Sequence, residues 1–146
     1  MLKIGFLKML PEATIPTKAH IDDAGFDFYA IEDVIISPDF SAVCRTGIAW
    51  CPPSDLDKCY YLQMKSRSGL AFKHGVECTN AGVIDESYRG EIMIKLYNNG
   101  DKEYNVKAGD RIAQGVVHDI PLCSGVEIKD ISETKRSNKG FGSSGR

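Results

Sequence analysis

No uninterrupted apolar run in this chain of 146 residues approaches the roughly 18 residues that a membrane helix needs. The N-terminus also lacks a charged stretch followed by an apolar one, so a soluble, intracellular protein is expected. An excess of one charge is missing too. Eighteen Lys and Arg stand against 20 Asp and Glu, and a formal charge of -2 argues against non-specific affinity for nucleic acid or for an anionic membrane. Any anionic ligand must therefore be gripped by local groups. The cysteines lack partners at metal or redox spacing: Cys44, Cys51, Cys59, Cys78 and Cys123 form no Cys-x-x-Cys pair and have no histidine at zinc-finger distance. Free buried thiols are expected, the alternative being a cysteine nucleophile brought against His20, His74 or His118 by folding. Helical periodicity is absent as well, since no segment sustains it for three turns.

What remains is a succession of short β runs punctuated by Gly, Pro, Asn and Asp, at residues 4–10, 34–36, 42–49, 60–64, 91–97, 111–117 and 126–128. In the run 91–97, Ile92, Ile94 and Leu96 alternate with Glu91, Met93, Lys95 and Tyr97, the pattern of a strand with one face in a core. The one helical candidate is a single turn, residues 70–74, closed by Gly75. A chain of this length makes one domain able to fold without staples. The fold class expected is all-β, a sandwich or barrel, with a domain over residues 1–132. From 133 to 146 Phe141 is the one apolar residue among glycines, serines and charges, as in a mobile arm.

Chemistry is concentrated in a few short segments. Gly82, Val83, Ile84 and Asp85 lead through Tyr88 to Gly90, placing a carboxylate three positions before an aromatic ring in a glycine-bounded turn between strands. An aspartate there suits a structural turn as well as it suits a base that activates water. Arg67-Ser68-Gly69 offers a planar fork of donors, a hydroxyl and a glycine that lets N–H groups approach an anion, or else an ordinary turn with a solvated arginine. Gly109 to Gln114 reads as a turn entering a buried strand, with Arg111 a candidate ion-pair partner for a nearby carboxylate. In the arm, Arg136 adds a cation, Gly142, Ser143 and Ser144 supply flexible donors, and Phe141 is a ring that can close over a bound ligand.

Together with Ala24-Gly25-Phe26-Asp27, these segments resemble, in order and in spacing, the five motifs of the trimeric deoxyuridine triphosphatases, and the resemblance spans nearly the whole chain. It implies a jelly-roll-like fold, a homotrimer with active sites built between subunits, and hydrolysis of dUTP to dUMP and pyrophosphate by attack of water on the α-phosphorus. Asp85 is then the general base, with Arg67, Ser68 and Gln114 at the reacting phosphate and Gly69 beside them. Main-chain groups of Gly82, Val83 and Ile84, and near Met93, would read uracil. Tyr88 would pack on the sugar and leave no room for a ribose hydroxyl, and Phe141 would stack on the base. Mg²⁺ is the implied cofactor, carried by the triphosphate, with Asp27 holding a metal-bound water, in keeping with the reluctance of magnesium to dehydrate. This sequence departs from the common form at Ser137, Lys139 and Ser144 in the arm. It also has Thr79, followed by Asn80, where many members have Asn, so no Asn side-chain contact to the base is carried over.

Two other readings are compatible with some of these features. A dCTP deaminase-like enzyme of the same fold would also take a pyrimidine deoxynucleotide, but the short chain, the Tyr88 turn and the complete arm oppose it. A nucleotide-responsive regulatory module would have no need of Asp85, Gln114 and the arm together.

Overall fold

The computed structural model describes residues 2–54, 58–80 and 82–134. Eleven strands are described: β1 (Gly5–Lys8), β2 (Gly25–Tyr29), β3 (Val34–Ile36), β4 (Ser41–Cys44), β5 (Ile48–Cys51), β6 (Lys58–Lys65), β7 (Val76–Cys78), β8 (Val83–Ile84), β9 (Ile94–Asn98), β10 (Tyr104–Val106) and β11 (Arg111–Pro121). One helix, α1 (Ser68–His74), joins β6 to β7. All pairings are antiparallel and fall into sheets ordered β2-β11-β6-β8 and β4-β9-β7, with the two-stranded ribbons β1-β5 and β3-β10. The all-β, sandwich-like architecture expected from the sequence is what forms.

The core follows the alternation. Ile92, Ile94 and Leu96 are fully buried together with Phe28, Trp50, Leu62 and Ile112, whereas Met93 and Lys95 face out. Removing so many large apolar side chains from water, at about 25 cal/mol per Å², drives the sheets together. Gly115 lets this happen at the centre of β11, since a side-chain carbon there would lie 2.7 Å from the Phe28 ring and 3.0 Å from Leu62. The buried amide of Asn98 is fully engaged: it donates to the carbonyls of Ile36 and Lys102 and accepts from the Gly100 N–H. An unsatisfied amide in that place would cost about 1–3 kcal/mol.

Several sequence expectations change. The run 42–49 is two strands, because Gly47 takes a left-handed φ of 63° and the chain turns a corner there. Glu91 holds that corner, accepting from Arg45 Nε and Nη2 and from the Thr46 and Gly47 N–H groups. Residues 126–128 form no strand; Val126 and Ile128 are exposed, for no described strand lies beside them. The helix starts two residues before the expected turn and ends as expected at Gly75, whose φ of 68° makes a left-handed cap. Strands β2, β7 and β10 have no counterpart among the β runs read from the sequence. Of the cysteines, Cys44 is buried, where burial, reinforced by Glu32, pushes its thiol up to about 11. Cys51 and Cys123 are exposed, so the expectation of five buried thiols does not hold.

Candidate active site

The central strand β11 organises the arginine-bearing part of the site. Its register sets Gln114 opposite Asp27 on one side and Lys65 on the other, next to the point where β6 runs into Ser66, Arg67 and α1. Gln114 donates through Nε2 to the Ser66 carbonyl at 2.9 Å, and Gly25 clears the space, since a carbon there would lie 2.9 Å from Gln114 Oε1. Ser66 in turn accepts the Cys78 N–H through its hydroxyl, so the start of the loop is tied from two sides.

Asp27 lies between two arginines. Arg67 Nε donates to Oδ1 at 2.8 Å and Arg111 Nη1 to Oδ2 at 3.2 Å, and Arg67 Nη1 reaches the Arg111 carbonyl at 3.2 Å. Arg111 thus is the partner of a site carboxylate, as its position suggested. This arrangement fixes the Arg67 fork while leaving its Nη2 edge open. Ser68 is exposed and its hydroxyl caps nothing in its own helix, and a carbon added at Gly69 would meet nothing within 4 Å. Neither residue type is explained by packing against the described residues. These groups line a polar cavity of about 310 Å³ together with Ala19, His20, Asp23, Ala24 and Gly25. Sequence reasoning named His20 only as a possible partner of a cysteine, none of which lines this cavity, and missed Asp23; the signal for both is their position just before the Ala24 to Asp27 motif.

Asp85 occupies a different place. Its carbonyl accepts from the Tyr88 N–H and from Trp50 Nε1, both at 3.1 Å, which closes the turn and anchors it on the core. Its carboxylate accepts no hydrogen bond from the described residues and is exposed. The Tyr88 hydroxyl donates to the Glu91 carbonyl at 3.1 Å, and its ring folds over Gly90, where any side chain would collide with it. Val83, Ile84, Asp85, Tyr88, Glu91, Ile92 and Met93 enclose a second cavity of about 250 Å³. Gly82 takes a φ of 104°, open to glycine, and accepts the Met64 N–H. Asn80 serves the scaffold here: its side chain donates to the Met93 carbonyl and accepts the Lys95 N–H, each at 2.7 Å, which steadies the Met93 backbone.

The Glu91 carboxyl beneath this cavity would be raised by burial, but the hydrogen bonds from Arg45, Gly47 and Thr46 together with the Arg45 charge outweigh that and hold it below its ordinary value of 4.5. Within one chain the two cavities share no lining residue. Arg136, Phe141, Gly142, Ser143 and Ser144 lie outside the described residues.

Residues 11–145 match the dUTPase family. The chain is a member of the dUTPase family. A deoxyuridine 5'-triphosphate nucleotidohydrolase of Wolinella succinogenes is 42% identical over 146 residues, covering 99% of this chain and 95% of the relative. One from Clostridium tetani is 43% identical over 146 residues, with 99% and 97% covered. Among solved structures, a point mutant of the Staphylococcus bacteriophage 80alpha dUTPase with dUpNHpp superposes with a TM-score of 0.88 at 26% identity, covering 99% of both chains. The match of the family through residue 145 takes in residues 133–145.

Proposed function

We propose that this chain hydrolyses dUTP to dUMP and pyrophosphate, as dUTP diphosphatases do. The observation that carries the reading is the pairing of a polar, arginine-lined cavity built on Arg67, Ser68, Gly69 and Gln114 with a separate hairpin cavity that presents an unengaged Asp85 carboxylate beside Tyr88. The first suits a triphosphate, and the second suits a nucleoside with a water to be activated.

Because the two cavities share no residue, a complete site needs the arginine-lined cavity of one subunit against the hairpin of another, and a homotrimer supplies that arrangement. The segment 122–134 supports it, for Leu122, Val126, Ile128 and Ile131 are all exposed along it and would be covered by a second copy. The arm 133–146 would then close with Phe141 over the base and with Arg136, Gly142, Ser143 and Ser144 on the phosphates, separating the reaction from bulk water.

Asp85 orients and deprotonates the water that attacks the α-phosphorus, and Arg67, Ser68 and Gln114 stabilise the charge that develops there. Tyr88, fixed by its bond to the Glu91 carbonyl, is the wall against a ribose hydroxyl, and the main chain of Gly82 to Ile84 and of Met93 reads the base. Mg²⁺ fits as a cofactor brought by the triphosphate. Both oxygens of Asp27 already accept from arginines, which disfavours direct ligation, yet each has a second lone pair able to hold a metal-bound water. Bound there, the ion would neutralise phosphate charge. No cluster of three His, Cys, Asp or Glu that could itself hold a metal occurs among the described residues. No described helix is long and apolar enough to cross a membrane, and a cytoplasmic enzyme that removes dUTP and supplies dUMP is the role in keeping with this chemistry.

The test is pyrophosphate release from dUTP, dCTP, dTTP and UTP in parallel, with Mg²⁺ and with chelator. Release confined to dUTP and lost with chelator is the expected result. Ammonia release from dCTP would point to the deaminase instead.

A further inference from the structure

Within one chain the lining of the arginine-bearing cavity carries no net formal charge, so a polyanion there gains from every further donor. Its charged lining groups are Arg67 and Arg111 on one side and Asp23 and Asp27 on the other, so their formal charges cancel. Both arginines are already ion-paired to Asp27. Lys18, the nearest lysine in sequence, is drawn away over the Phe26 ring, 4.9 Å from its centroid. Beyond the arginines, the donors in the lining are Ser68, Gln114 and His20, and of these His20 has no role yet.

His20 sits in a turn locked from both ends. Its N–H donates to Asp23 Oδ2 at 2.8 Å, and the Asp23 N–H returns to the His20 carbonyl at 3.1 Å. The Asp23 carboxylate is thereby turned towards the backbone, while the imidazole has no partner among the described residues and is exposed at the cavity. Holding the backbone of an otherwise free donor lowers the ordering cost when it binds.

The geometry points to His20 as a phosphate-binding residue, donating an N–H to the end of the triphosphate chain remote from the scission point. The inference rests on the dUTP reading above. In that role His20 adds affinity that grows with the number of phosphates, and it touches neither the base nor the attacking water.

The test uses the full-length chain with Mg²⁺, comparing binding of dUpNHpp and of dUMP by calorimetry in the wild type and in His20→Ala. The variant keeps the turn, because both of its bonds use the His20 backbone. A charge-assisted hydrogen bond of this kind predicts that the dissociation constant for dUpNHpp rises roughly tenfold or more, with that for dUMP unchanged. An unchanged affinity for dUpNHpp, or an equal loss for both nucleotides, would overturn the assignment while leaving dUTP as the substrate. Failure of the wild type to bind either nucleotide would remove the dUTP reading and His20 with it.

Discussion

Asp85 and Glu91 are six residues apart and do opposite things with the same functional group. The Asp85 carboxylate is left without a partner because the turn is held through its carbonyl, by Tyr88 and Trp50. Asp85→Asn should therefore keep the fold and nucleotide affinity while lowering kcat by about a hundredfold or more, the usual contribution of a general base. Near-normal turnover of dUTP by that variant would remove Asp85 from this role. Glu91 is instead spent on four donors from the Arg45 to Gly47 corner. Replacing it by Gln leaves donors without acceptors and is expected to cost about 1–3 kcal/mol in chemical denaturation. Since the Glu91 carboxyl is held below 4.5, its stabilising contribution is complete above that pH and is lost as pH falls through the lowered folded value. The acid limb of the stability profile should accordingly be shallower in Glu91→Gln than in the wild type.

At the scale of elements, the hairpin from β8 to β9 depends on a residue that does no chemistry. Gly90 makes room for the Tyr88 ring, whose hydroxyl is pinned to the Glu91 carbonyl. Gly90→Ala should displace the ring and reduce the preference for dUTP over UTP, read as the ratio of kcat/KM values, by about tenfold or more given what a misplaced steric wall costs. Core strands were legible where alternation ran long enough, as in Ile92, Ile94 and Leu96, and motif residues such as Arg67 and Gln114 stood out by type. The three-residue strands β7 and β10 mix polar with apolar residues, unlike the wholly apolar β3 that was read, and their pairing is imposed by neighbours. The corner at 45–47 was missed for another reason: Gly47, which makes it, is a single residue inside an apolar run, and Glu91, which holds it, lies 44 residues or more away.

For the whole molecule, the separation of the two cavities makes a sharp prediction. Chains carrying Asp85→Asn mixed and refolded with chains carrying Arg67→Ala should regain activity well above either alone, because some sites would combine an intact hairpin with an intact arginine-lined cavity. Equal inactivity of mixture and parents would show that each chain completes its own site. Deleting Gly140 onward should leave a folded oligomer of severely reduced activity, measured by sedimentation and pyrophosphate release side by side.

The amino-acid sequence by itself determined the class of fold and most of the chemical vocabulary, because strand alternation and glycine-bounded motifs are local properties. It also made Arg111 a candidate partner for a site carboxylate, which the pairing with Asp27 bears out. Only the tertiary structure decided how that vocabulary is shared out. It gave the carboxylate of Asp27 to two arginines, left that of Asp85 free, drew His20 to the arginine-lined cavity and parted the two cavities within one chain. Each of these depends on which strands lie side by side, and β11 between β2 and β6 joins residues that the chain keeps far apart.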